Sequence, residues 1–397
     1  MHDVRRNIRL LAWFNFLLDF RLYAPVMVIY FERVTHSYAL AMSVLSMVML
    51  AAAALEVPTG IISDRIGRKR TVIYGAVGGL ASVTCYAIGG TYWMLLVGAI
   101  FDGLARALFS GNNDALLHDT LAEMGARDDY QHQLGRVSSA YQIALAVSAL
   151  IGSILAAISF PLVMWLSVLP KVAMVGVSLR FVEPNIHTDE SGNLFAHLKE
   201  ALRNIIRNPR LRMLSMGQII GFGLGEASFM FRTVFIEMLW PLWAIGVARM
   251  ISNVCAATSF YFAGSLLKRF GERKLLFGGM ILSEFTNLTA LIFASVVSPV
   301  FMGATSIFFG VNTVSLNGMM QREFSDAQRA TMGSVTAFGG SLLFAALSVM
   351  LGWLADAIGV REALIIANIL AFTPLIFFRL AFQSVKLAET NMAKANG

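Results

Sequence analysis

One feature recurs along almost the whole sequence: stretches of mostly apolar residues, each about 20 long or longer, separated by short polar breaks. A helix needs ~20 such residues to cross the hydrocarbon core of a bilayer. Twelve stretches qualify, at approximately 9–31, 38–62, 71–90, 92–117, 137–158, 160–181, 213–236, 240–266, 274–294, 298–320, 330–353 and 363–382. They predict an all-α integral membrane protein with twelve transmembrane helices, numbered here as spans 1 to 12.

Composition agrees. With 57% hydrophobic and 14% charged residues and a mean hydropathy of +0.68, the chain must use lipid as solvent. Lys and Arg are retained in cytoplasmic loops during insertion, and of the 31 present only Arg33 and Arg361 fall in loops on the far side if both termini are cytoplasmic. The net charge of +7 is then a property of the inner leaflet face, attracted to anionic lipid, and does not indicate nucleic acid. Cys85 and Cys255 both fall inside spans, so neither a disulfide framework nor a cysteine metal site is expected. The first apolar run is too long for a signal peptide and lacks a small-residue cleavage site, so it is expected to remain as span 1.

The largest interruption, 182–212, divides six spans from six. Within it Leu194, Phe195, Leu198, Leu202, Ile205 and Ile206 recur at helical spacing opposite Lys199, Arg203 and Arg207, which predicts either an amphipathic surface helix or a solvated linker with a short helix. The expected domains are 1–181, this linker, and 213–397.

Between spans 2 and 3 lies a dense charged knot, Gly60-Ile61-Ile62-Ser63-Asp64-Arg65-Ile66-Gly67-Arg68-Lys69-Arg70. Gly60 and Gly67 are expected to let the chain turn tightly, with Asp64 accepting from a nearby helix start. The knot repeats in the second half at a constant offset of 204, as Gly264, Lys268-Arg269-Phe270-Gly271 and Arg273-Lys274. There Lys268 replaces Asp64 and Glu272 replaces Arg68, so only the first copy is expected to form an acid-centred clasp.

The pattern Gly-x-x-x-Asp-Arg-x-Gly-Arg-Lys, with its degenerate second copy, resembles the signature loop of the major facilitator superfamily of secondary transporters. The resemblance covers essentially the full chain. It implies two pseudo-symmetric six-helix bundles, a small-molecule substrate bound between them near the bilayer midplane, and alternating access by rocking of the halves. It further implies a monomer in the cell inner membrane, no cofactor, and a proton gradient as driving force. Asp64 and Arg68 are assigned by this resemblance to a latch that locks the halves, with Asp119 or Asp114 as the acidic partner at the end of span 4; Gly60, Arg65, Gly67 and Lys69 complete the loop. Glu56, beside Pro58, reads as part of the same gate.

Ionisable residues inside a membrane are costly, so each needs a reason. Asp19 and Arg21 sit near the middle of span 1. Two residues apart on a helix they point to different sides, so each is expected to find a partner elsewhere. Asp19 is either a proton or cation site facing the cavity, or half of an interhelical ion pair, for example with Arg106. In span 4, Asp102 and Arg106 are four apart and can pair within the helix. Glu226 in span 7 follows Gly221, Gly223 and Gly225, which predict a bending point and close approach of a neighbour. It is either a proton acceptor or the partner of Arg232 or Arg249. No histidine falls in mid-span, so protons, if they drive this carrier, must be held by carboxylates. Lys171 and Glu284 fall on helices that the superfamily uses as outer support, and sequence gives them no function.

The expected activity is proton-coupled transport of a small organic solute, in the export direction. Ala146–Ser153 holds one glycine and no proline where drug antiporters of that superfamily carry Gly-x-x-x-Gly-Pro, which argues against multidrug export. The alternative is a specific carrier of a polar or anionic metabolite, held by Arg21, Arg106, Arg232 or Arg249. A membrane enzyme is a distant third: the sequence shows no nucleophile motif, phosphate loop or metal-ligand cluster.

Overall fold

The computed structural model describes residues 4–184, 203, 205–323 and 329–383, and all regular structure among them is helical. Eleven helices are long and apolar enough to cross a membrane, and a shorter apolar segment, Ile143–Ile158, ends the Tyr130–Ile158 helix where the fifth crossing is expected. By contacts the chain divides into two compact units, Met1–Glu190 with Trp240–Met250, and Ser191–Leu239 with Ile251–Gly397. The amphipathic helix expected over 194–207 lies largely outside the described residues.

In the first unit the Arg68–Ile88 helix packs against Tyr92–Phe109 and Phe160–Ser178, and Tyr38–Ile66 packs against Tyr92–Phe109. Gly103 is what allows the last contact: a Cβ there would lie 2.7 Å from the backbone carbonyl of Val48. The short connections are closed by caps. The Ser37 side chain accepts from Leu40 N–H at 3.2 Å and Thr91 from Met94 N–H at 3.3 Å, each satisfying one of the orphan donors of a helix start. An apolar core of Leu11, Phe14, Val72, Ala76, Leu116, Met174 and Phe181 joins spans 1, 3, 4 and 6. Phe14 lies edge-on to Phe109 and to Phe181, with ring centroids 5.4 and 5.7 Å apart.

Span 1 is not one helix. It runs as Arg6–Asp19, breaks at Phe20 (ψ 74°), turns through Ala24–Val26 as a 3-10 helix and resumes as Met27–Thr35. Pro25 lies in the break; it has no N–H, and its ring would clash with the carbonyl four residues earlier in a continuous helix. Exposed carbonyls at membrane depth cost several kcal/mol each unless partners are found. Here Leu18 O accepts from Lys171 Nζ at 2.6 Å and from Arg21 Nε at 3.2 Å.

The charged knot is also shaped differently from expectation. Gly60 does not turn; it lies within the Tyr38–Ile66 helix, exposed, with open space where a Cβ would be. A helix already satisfies its backbone there, and one glycine is too weak a breaker to end it. The turn falls at Gly67 alone (φ 93°, ψ 160°). Its counterpart in the second unit, Gly271, has nearly the same backbone (φ 80°, ψ 148°), so the 204-residue repeat is present in local geometry as well as in sequence.

In the second unit Pro209–Leu239 packs on Arg329–Ile358, and Glu272–Ile292 packs on Phe309–Gln321 and Val360–Leu370. The helix is unbroken through Gly221-Phe222-Gly223-Leu224-Gly225: Pro209–Leu239 is helical throughout. The close approach is present, since a Cβ on Gly223 would lie 3.1 Å from the backbone N of Phe344. Gly223 thus serves packing, whereas Gly225 has open space where a Cβ would be.

Candidate functional site

Two groups of polar side chains stand out in the first unit. The first surrounds the break in span 1. Asp19 and Arg21, expected to point apart, pair at 3.3 Å, because the chain leaves helical geometry between them. Arg106 does not reach to Asp19; its Nε lies 3.3 Å from Asp102 Oδ1, the four-residue pair that helical spacing predicts. Lys171 from the Phe160–Ser178 helix is 4% exposed and feels the charges of Arg21, Asp102, Asp19 and Arg106. A cavity of about 260 Å3 lies among them, lined by Arg21, Tyr23, Ser82, Asp102, Arg106 and Lys171 with apolar neighbours.

The arrangement follows from local chemistry. The break presents a helix C-terminus, where carbonyls and the macrodipole favour cations, and two cations occupy it. Desolvated charges must be paired, and two carboxylates answer them. Sequence reasoning identified four of the five charges. It missed Lys171 as a member, because its partner is the backbone carbonyl of Leu18, left open by the break and marked by no residue type.

The second group lies at one end of the unit, around the knot. Arg68 Nη1 lies 3.0 Å from Asn112 Oδ1 and 3.1 Å from Ser63 Oγ, and Ser63 and Asn112 hydrogen-bond to each other. The hydrogen bonds of Arg68 at the end of span 4 thus go to Asn112 instead of the expected Asp114 or Asp119. Asp114 is exposed, and Asp119 is buried with His118 Nδ1 at 3.4 Å. The reason is the turn at Ser110 and Gly111 (φ 72°), which starts a new helix, Asn112–Glu123, and brings its first residue to the knot. Glu56 accepts from Ser110 Oγ at 3.5 Å, and Arg65 is exposed. The side chain of Asp64 lies outside the described residues.

The acid at the knot is one the sequence did not reveal. Glu183 accepts from the backbone N–H of Arg68 at 2.7 Å and of Lys69 at 2.8 Å, capping the N-terminus of Arg68–Ile88. It is held there by its neighbour: Asn7, fully buried, donates to Val182 O at 2.8 Å and accepts from Val182 N at 3.0 Å. Glu183 opens the linker, and its partners are backbone N–H groups, so no spacing of residue types points to it.

In the second unit, where the family's Asp-centred clasp is not expected, the copy of the knot makes an ion pair of reversed polarity at the position of Arg68. Glu272 at the start of Glu272–Ile292 takes both guanidinium nitrogens of Arg322, one at 2.9 Å. Glu323 next to it meets Arg210 at 2.7 Å and Asn208 at 3.2 Å. Deeper in the unit, Arg232 is acted on by the charge of Glu284, not by that of Glu226, and Glu284 accepts from Asn368 Nδ2 at 2.5 Å. Glu226 is half-buried in Pro209–Leu239, and Arg249 is half-buried in Leu242–Phe270. Among the described residues no group of His, Cys, Asp and Glu could hold a metal ion.

An all-helical chain with membrane-length apolar helices, ionised groups turned inward and a span broken beside a polar cavity is a multi-pass integral membrane protein built to carry a solute. Residues 10–345 match the family model of the Major Facilitator Superfamily, and the chain belongs to that family. It is a transporter of small molecules in the lipid bilayer and not an enzyme. A tetracycline resistance protein, class D, from Salmonella ordonez is 23% identical over 298 residues, 71% of this chain and 73% of its own. The inner membrane transport protein YajR from Escherichia coli (strain K12) is 23% identical over 170 residues, 42% of this chain and 36% of its own. Among solved structures, a bacterial homolog to the human lysosomal transporter Spinster, inward-facing and unoccupied, matches with TM-score 0.78 at 16% identity, over 95% of this chain and 96% of that one. The nucleoside transporter NupG matches with TM-score 0.75 at 16% identity, over 95% of this chain and 99% of that one. At these identities the two structures are like this chain in fold.

Proposed function

We propose that the protein is a proton-coupled secondary transporter that exports a small organic solute by alternating access. The observation that carries the reading is the group of ionisable side chains, Asp19, Arg21, Asp102, Arg106 and Lys171, gathered at a break in span 1. Non-helical backbone at membrane depth is tolerated where it lines a cavity, and in transporters such breaks lie beside substrate and ion sites. Asp19 and Asp102 are the proton carriers of this reading, since a carboxylate that gains a proton changes the pairing of a neighbouring arginine. Likeness to a tetracycline resistance protein supports the export direction. The distribution of Lys and Arg supports both termini in the cytoplasm, in the inner membrane, and the chain is read as a monomer. The knot, with Asp64 and Arg68, serves as a latch between transport states.

The test is solute movement in everted vesicles energised by a pH gradient, with a panel of small organic solutes. Gradient-dependent accumulation, lost in Asp19→Asn and in Asp102→Asn with the protein still folded, supports the reading. Accumulation that ignores the gradient removes proton coupling from it. A second reading, a specific carrier of one polar or anionic metabolite, is favoured by the excess of cations at the same cavity.

A further inference from the structure

We propose that the cavity within the first unit is a binding site for the carboxylate of a small organic acid, with Lys171 as its anchoring cation and Ser82 as a neutral donor. The inference deepens the second reading above: it names the ligand class, the residues and the place, inside one six-helix unit.

Charge comes first. Arg21, Arg106, Lys171 and Asp102 line one cavity, and Asp19 pairs with Arg21 beside it, three basic groups to two carboxylates. An uncompensated charge in a low-dielectric site is costly, and one bound monoanion completes the balance. A cationic ligand would raise the excess, and a neutral one would leave it.

Free donors come second. Lys171 has three N–H donors, and among the described residues one is engaged, on Leu18 O. Arg106 uses Nε on Asp102, and no described residue accepts from its two Nη groups. Ser82 is 1% exposed and lines the cavity; its hydroxyl and that of Tyr86 lie near one another, yet neither makes a hydrogen bond of ordinary geometry. A buried hydroxyl without a partner is uncommon and asks for one. A guanidinium fork, an ammonium and a hydroxyl together suit a planar group of two acceptor oxygens, which is a carboxylate.

Size comes third. The cavity, about 260 Å3, equals the share of roughly nine waters at ~30 Å3 each. It lies below the usual ~300–1,000 Å3 of small-molecule pockets, which suits a small acid. Gly79 and Ala105 form part of the wall and leave room for its apolar end.

The experiment uses the purified full-length protein in detergent and follows its melting temperature with acetate, lactate and benzoate, each against its amide. Ligand that binds only the folded state raises the melting point. At least one acid is expected to stabilise while its amide does not. Lys171→Gln is expected to weaken the apparent affinity by about tenfold or more, and Ser82→Ala by about two- to tenfold, from the usual worth of charged and neutral hydrogen bonds. Should Lys171→Gln fail to fold, Ser82→Ala decides, because it removes one small hydroxyl whose nearest polar neighbour, that of Tyr86, is not in ordinary hydrogen-bond geometry with it. The proposal is overturned if none of the three acids stabilises, if an amide stabilises as well as its acid, or if Ser82→Ala leaves the acid shift unchanged. Counterflow of the stabilising acid in liposomes separates the two levels. Binding without movement keeps the site and refutes carriage of that acid; movement of other solutes with no acid-specific stabilisation refutes the site and keeps the transporter.

Discussion

The carboxylate of Glu183 accepts from the backbone N–H groups of both Arg68, at 2.7 Å, and Lys69, at 2.8 Å. A charge-assisted pair of this kind at a helix N-terminus is worth about 0.5–2 kcal/mol. Glu183→Ala is therefore expected to lower the melting temperature by an amount consistent with about 1–2 kcal/mol, and Glu183→Gln by less. Asn7→Ala should reproduce much of the loss without touching the acid, because Asn7 holds Val182 in place. An unchanged melting point in both variants contradicts this account of the cap.

The two glycines of the knot make opposite predictions. Gly67 has φ 93°, and a Cβ there would lie 2.7 Å from Glu183 Oε1. Gly67→Ala is expected to destabilise by about 1–2 kcal/mol from the backbone alone, and further through displacement of the cap. Gly60 is helical with nothing within 4 Å of its Cβ position. Gly60→Ala should leave the fold intact and stabilise it by about 0.5–1 kcal/mol. Paired melting curves check both; equal effects would show that the two positions share one role.

The clasp in the second unit is exposed, with side chains 58% and 30% accessible for Arg322 and Glu272. Exposed pairs contribute about 0–1 kcal/mol. Reversal of one member, Glu272→Arg, is expected to cost about that much and to slow or unbalance transport. Adding Arg322→Glu should recover part of the loss. Recovery stays partial because an arginine at position 272 opposes the dipole at the start of Glu272–Ile292. No recovery in the double variant sinks the pairing.

Asn368 Nδ2 donates to Glu284 Oε2 at 2.5 Å inside the second unit, while Asn368 Oδ1 has no partner. Asn368→Leu removes a needed donor and no needed acceptor. The expected cost is about 1–3 kcal/mol from the unsatisfied carboxylate, read as loss of melting temperature. Adding Glu284→Gln should not restore it, because buried Arg232 then loses the charge that faces it.

Much of this was legible in the sequence. The apolar runs gave the crossings, the 204-residue offset gave the repeat now seen in Gly67 and Gly271, and the spacing of Asp102 and Arg106 gave their pair. What escaped reading depended on departures from regular helix. Asp19 and Arg21 pair only because Pro25 helps break span 1, and Lys171 joins them only because the break leaves Leu18 O open. Glu183 escaped because its partners are backbone N–H groups, which carry no residue type to match. The second clasp escaped because a family pattern treats Glu272 as a lapse, whereas Coulomb attraction needs only that its partner also change.

The claim at the centre is that the charges around the break in span 1 couple proton movement to solute movement. The most direct measurement is proton flux into liposomes holding the purified protein, on addition of a solute known to stabilise it. The account predicts solute-dependent proton movement that vanishes in Asp19→Asn while the variant remains folded. Solute movement with no accompanying protons, or proton movement that survives Asp19→Asn and Asp102→Asn alike, would contradict it.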